Sequence, residues 1–165
     1  MRCLLFLLFF SFSSFLYAKN QIFYFEPNIV ELSGMVRILK FPGPPNYESI
    51  KNGDAEEVDG YLILSKPIDI HLMPGIQIGN DAIEKNIRFI QFVVQRESDW
   101  ERIKEGNYVH VVGTLFSALT GHHHARVLLT IKKIDVLSTH KIINNKKLDV
   151  TKEDLEFLKN QNLAN

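Results

Sequence analysis

Apolar and polar positions begin to alternate at Ile29. The run Ile29-Val30-Glu31-Leu32-Ser33-Gly34-Met35-Val36-Arg37-Ile38-Leu39-Lys40 is rich in β-branched residues and predicts a first strand. Gly34 marks a place where that strand can bend or bulge. Phe41-Pro42-Gly43-Pro44-Pro45-Asn46 is then expected to break it, because proline cannot sustain a ladder. The loop runs on through Asn52-Gly53-Asp54. Extended structure restarts over 58–65, is interrupted at Lys66-Pro67, and resumes over 68–72. Pro74-Gly75 and Gly79-Asn80-Asp81 predict an irregular connection, and 86–95 a third strand.

The pattern changes after that strand. Ser98 with Glu101 forms a capping box, so a short helix is expected to end near Gly106 with Trp100 and Ile103 facing the core. Residues 108–116 and 126–137 read as the fourth and fifth strands, separated by the loop 117–124. Thr151 with Asp154 predicts the start of a C-terminal helix, with Leu155 and Leu158 on one face. Three strands, a short helix and two more strands is the order of the OB-fold, a five-stranded partly open barrel. Gly34 and Gly113 fall where strongly coiled strands need a residue without a side chain. The fold class predicted is therefore all-β with one or two short helices and an OB-fold-like barrel. An immunoglobulin-like sandwich ranks second, since it wants about seven strands and no helix between the third and fourth.

The first residues do not belong to this pattern. Arg2 precedes the apolar run Cys3 to Phe15, and Leu16-Tyr17-Ala18 leads into polar Lys19-Asn20-Gln21. That is the layout of a secretory signal peptide cut near Ala18, and its apolar stretch is short for a membrane span. The alternative is a retained N-terminal anchor. The expected organisation is a signal peptide over 1–18, an N-terminal segment over 19–28, the OB-like domain over 29–138 and a tail with a short helix over 139–165. Phe23, Tyr24 and Phe25 are expected to pack the N-terminal segment on the barrel.

Composition narrows the classes of function. Lys and Arg total 19 against 19 Asp and Glu, which argues against a protein that coats nucleic acid or an anionic membrane. The one cysteine, Cys3, lies in the leader, so neither a disulfide framework nor a multi-thiolate metal site is available. Lys132-Lys133 and Lys146-Lys147 read as solvated surface. No phosphate-binding glycine loop, Gly-x-Ser-x-Gly or His-Glu-x-x-His pattern is present.

Three stretches carry a family likeness. They are Phe41-Pro42-Gly43-Pro44-Pro45-Asn46-Tyr47-Glu48-Ser49-Ile50 with Asn52-Gly53-Asp54, then Gly113-Thr114-Leu115-Phe116, and Thr120-Gly121-His122-His123-His124 running into Val127-Leu128-Leu129. Over roughly 32–134 the chain resembles the bacterial DUF4431 family of small exported domains. Where the resemblance calls for further histidines before the Thr-Gly turn, this chain has Ser117 and Leu119. The resemblance implies export and a pair of marker loops, and it implies no catalytic residue.

On the OB reading the marker loops flank the ligand face. The candidate ligand-binding residues are Pro44, Asn46, Tyr47, Glu48, Thr120, His122, His123 and His124. The leading reading is a non-enzymatic envelope module that holds a protein partner, a small ligand or a cell-wall fragment with loops 41–54 and 117–125. It foresees no nucleic acid and no membrane span after cleavage. The rival is a metalloprotein or metal-dependent hydrolase. If extended, His122 and His124 share a face, and with His110 they would offer nitrogen ligands to zinc, copper or nickel. Asp54, Glu56 or Glu57 would then add oxygen donors or a base. Two quieter readings stand beside these: a hydrogen-bonded turn whose imidazoles hold the proline loop, and a pH-responsive contact.

Overall fold

The computed structural model describes residues 19–75, 83–120, 122–139 and 150–160. The proposed leader over 1–18, Gly79-Asn80-Asp81 and Lys146-Lys147 lie outside them. The described chain is all-β: β1 (Gln21–Tyr24), β2 (Ile29–Pro42), β3 (Glu56–His71), β4 (Glu84–Val93), β5 (Asn107–Ser117), β6 (Val127–Thr139) and one helix, α1 (Lys152–Lys159).

Pairing closes these strands on themselves. The sheet order is β1-β3-β2-β5-β6-β4, and β3 also pairs with β4. Five strands, β2 to β6, thus form a ring of hydrogen bonds, with β1 added in parallel to β3 over Gln21↔Ile68 to Tyr24↔His71. Within the ring β4 and β6 are parallel, and β2 is antiparallel to both β3 and β5. A closed ring leaves few unpaired strand edges.

Alternation along each strand builds two cores. Val30, Leu32 and Val36 of β2, Leu62 and Leu64 of β3, Ile90 and Phe92 of β4, and Val109 and Val111 of β5 fill the inside. The opposite face of β2, β3 and β4 carries Phe41, Tyr61, Ile63 and Phe89, which are covered by Ala125 and by Leu158 of α1. Helix α1 starts as its sequence predicts: the Thr151 hydroxyl accepts from the Asp154 N–H at 3.2 Å. Asp154 is buried, accepting from Arg126 Nη2 at 2.7 Å and the Arg88 N–H at 3.0 Å. Leu158 is buried but Leu155 is exposed, so only one of the two expected leucines packs.

Four local expectations are corrected. β2 does not stop at Phe41 but pairs through Pro42↔Glu56. The even-numbered peptide groups of β2 face β5, as the bond from the Gly106 N–H to the Val36 carbonyl shows. Proline at 42 therefore removes no bond to β3. β3 is likewise continuous through Lys66-Pro67, because the β2–β3 ladder has already ended at Gly34↔Leu64. The predicted helix is a single 3₁₀ turn, Glu97–Asp99, capped by no side chain. Buried Asp99, bonded to Arg96 Nε at 3.0 Å, pins that turn, while Trp100 is left exposed and Ile103 is buried. The N-terminal aromatic segment packs as expected through Phe23 and Phe25, but as a strand.

Gly34 and Gly113 are needed for close approach. A Cβ on Gly113 would strike the Thr130 carbonyl oxygen, at an irregularity in the β5–β6 ladder. On Gly34 it would strike the Ile63 carbonyl oxygen. Gly113→Ala is expected to destabilise the domain by about 1–3 kcal/mol, read as a lower denaturant midpoint at unchanged slope. An unchanged midpoint would contradict the close approach.

Candidate functional site

The two marker loops meet at one end of the ring, and each is shaped before it meets the other. In the proline loop, Asp54 is buried and gathers four donors. Its Oδ2 accepts the N–H groups of Glu48 and Ser49, both at 2.8 Å. Its Oδ1 accepts the Asn46 N–H at 3.0 Å and Asn46 Nδ2 at 3.1 Å. Those bonds bracket Tyr47, whose φ of 59° is unusual for a residue with a side chain. Holding it there costs about 1–2 kcal/mol, which the four bonds offset.

Tyr47 is thereby aimed at the histidine loop. Its hydroxyl is hydrogen-bonded to His122 Nε2 at 3.1 Å, and the rings meet edge-on at 5.2 Å. His122 Nδ1–H in turn donates to Glu57 Oε1 at 2.8 Å. A carboxylate only accepts, so Glu57 fixes a proton on His122 Nδ1. The other Glu57 oxygen accepts from His124 Nε2 at 3.4 Å. One carboxylate at the start of β3 therefore ties down two imidazoles of the loop between β5 and β6.

The three consecutive histidines perform three different tasks. His124 is buried and stacks on Phe41, with ring centres 3.9 Å apart and planes 2° apart. Among the described residues its buried Nδ1 has no hydrogen-bond partner beside the stack. Gln91 of β4 clamps the backbone here: Oε1 accepts the His124 N–H at 2.6 Å, and Nε2 donates to the His122 carbonyl at 3.1 Å. His123 points the other way, and its Nδ1 accepts from the N–H groups of Leu119 and Thr120 at 2.8 and 3.3 Å. Burial lowers the His123 pKa, and the neighbouring His122 and His124 lower it further. A neutral imidazole is what two incoming N–H donors require.

Beneath Glu57 lie Asp59 and Tyr61, on the same outer face of β3. Burial pushes the Asp59 carboxyl above the usual carboxylate range, against the pull of His124 at 3.8 Å. The Tyr61 hydroxyl donates to Asp59 at 3.3 Å, and burial, with Asp59 beside it, keeps that phenol protonated. Asp59, Gln91, Phe41 and Tyr61 are site residues that the sequence reading missed. The alternation Glu57-x-Asp59-x-Tyr61 was visible as one face of a strand. Nothing local showed that the histidine loop folds over it.

The remaining candidates separate cleanly. Pro44, Asn46, Glu48 and Thr120 are exposed on the rim of the joined loops. Glu56 pairs with Lys40 at 2.8 Å and faces away from the histidines. His110 stands seven residues from the loop end of β5, roughly 20 Å along the strand. There it contacts Ser33 Oγ at 3.2 Å and Glu31 Oε2 at 3.4 Å. The fold thus brings His122 and His124 together with Glu57 but sets His110 apart, so the expected three-histidine set for zinc, copper or nickel is not assembled. Among the described residues no group of three or more His, Cys, Asp or Glu side chains is arranged to hold a metal ion.

A ring of strands with two end loops cross-linked through one carboxylate is the kind of domain these observations define. Residues 89–135, from within β4 to within β6, match the family model of the domain of unknown function DUF4431. That span contains the histidine loop and leaves the proline loop outside it. No curated protein matches the chain at a significant level.

The bonds from Ser49 and Glu48, followed by those from Asn46, hold the Asp54 carboxyl below its ordinary pKa of 3.8. A carboxyl whose pKa is depressed by folding stabilises the fold above its unfolded value and ceases to do so as pH falls through the folded one. Asp54→Asn is therefore expected to lower the melting temperature at pH 7 and to flatten its decline below pH 3.8. Melting curves across the acid range check this; a variant that keeps the wild-type acid slope would contradict it.

Proposed function

We propose that this chain is an exported, non-enzymatic binding module of the bacterial envelope. The joined loops 41–54 and 117–125 would hold a protein partner or a small ligand such as a cell-wall fragment. The observation that carries the reading is the bonded path Tyr47–His122–Glu57, which makes one surface of two loops distant in sequence. Loops ordered in advance lose little entropy on binding.

The composition of that surface favours contact with a partner. Pro44, Pro45, Asn46 and Glu48 are exposed on one side, and Leu119 and Thr120 on the other. Leu119 is 80% exposed, the most exposed large apolar residue of the described chain. An apolar side chain held out on a braced loop is a natural anchor for a complementary pocket. The broad outer face of β3 and β4, by contrast, is closed: Tyr61 and Phe89 stack on each other at 4.3 Å beneath Leu158 and Ala125. Those buried rings offer no platform to unstacked bases. Export rests on the leader pattern of residues 1–18, and among the described residues no helix is long and apolar enough to cross a membrane.

The test is a comparison of envelope pull-downs from a strain in which the mature chain is expected to begin at Lys19. Leu119→Asp should leave stability within about 0.5 kcal/mol, because the side chain touches little. It should weaken partner capture by tenfold or more, about 1.4 kcal/mol. Replacing both loops by short Gly-Ser linkers should abolish capture. Capture of every partner by both variants would overturn the reading.

A further inference from the structure

The ring has a second opening, remote from the marker loops. β2 pairs with β5 as far as Ile29, but its ladder with β3 ends at Gly34↔Leu64. Continuing that register would place Pro67 opposite Glu31, and proline has no N–H to give. β3 instead takes β1 as its partner from Ile68 onward. β1 is the end strand of the sheet order, so its other edge is unpaired among the described residues. Two strand edges, 29–33 of β2 and 21–24 of β1, therefore flank a cavity of about 630 Å³.

The lining of this slot departs from a packed core. Phe23, Leu32, Leu64 and Ile68 supply an apolar floor continuous with the inner core. Lys66 takes the intervening place in the inward series Leu62, Leu64, Ile68 and Ile70, yet it is exposed. Lys19 stands at the same mouth. Among the described residues neither lysine has an ion pair. The nearby Glu31 carboxylate lies against His110 instead. The odd-numbered peptide groups of β2 point away from β5 and toward this slot, Glu31 first among them.

We propose that the slot between β1 and β2 is a strand-addition site for an extended, acidic peptide segment of a partner protein. Unpaired N–H and C=O groups recognise an extended backbone, and alternate side chains of the added strand meet opposite faces. Here the inward side chains would rest on the Leu32–Leu64 floor. An acidic side chain at the mouth would pair with Lys66 and Lys19. A bare anion would meet the two lysines but use neither the strand edges nor the floor.

The probe is a capped hexapeptide of alternating valine and glutamate, followed by amide NMR on the ¹⁵N-labelled domain. Its controls are a valine–lysine hexapeptide and free glutarate. The valine–glutamate peptide is expected to bind, to shift amides of 29–33 and 21–24, and to slow hydrogen exchange at Glu31. The exposed substitution Lys66→Glu should weaken that peptide about tenfold and strengthen the valine–lysine peptide. Glutarate should not compete. No peptide binding, shifts confined to the marker loops, affinity indifferent to Lys66→Glu, or equal competition by glutarate would each overturn the proposal. So would occupation of the slot by a second copy, seen as concentration-dependent sedimentation with the same amides shifted.

Discussion

The carboxylate of Glu57 is the contact on which the loop end of the molecule depends. It stands where β3 emerges from the proline loop, and each of its oxygens receives one imidazole. Remove it, and His122 loses the acceptor of its Nδ1 proton, Tyr47 loses a fixed partner, and His124 keeps its stack on Phe41 and the Gln91 bond to its backbone. The distances rank these bonds: His122 at 2.8 Å is the strong one, and His124 at 3.4 Å is the weaker. His122 is half exposed, so solvent weakens its contact with Glu57. His124, buried and stacked, acts through packing.

β3 serves three surfaces at once, which is why it is long. Its first residues, Glu57 and Asp59, carry the loop site. Tyr61 and Ile63 form the outer core under α1, while Leu62 and Leu64 belong to the inner one. Beyond Pro67 it changes partner from β2 to β1. With the outer face covered, the strands end or part at the rim of the marker loops and at the slot between β1 and β2.

The sequence made some of this legible and concealed the rest, for physical reasons. Period-two alternation, the order of strands around a short turn, and the Thr151 cap follow from local rules, and each is present in the fold. Gly34 and Gly113 were readable because close backbone approach excludes a side chain. Pro42 and Pro67 misled, since the harm a proline does depends on which neighbour its missing N–H would have faced. Ser98 lost its capping role because buried Asp99, held by Arg96, supplied a stronger local anchor. The histidine run suggested shared ligation, but His122 and His124 converge on the Glu57 carboxylate while His123 turns back on its own loop. Gln91, Asp59 and α1 entered the site through contacts remote in sequence, for which no local pattern exists.

A double-mutant cycle between Glu57→Ala and His122→Ala, measured by denaturant unfolding at pH 7, tests most directly that the two loops are locked together. The account predicts a coupling energy of about 0.5–1 kcal/mol, with the second substitution costing less once the first is made. Additivity within about 0.3 kcal/mol would contradict it and leave the loops as separate neighbours.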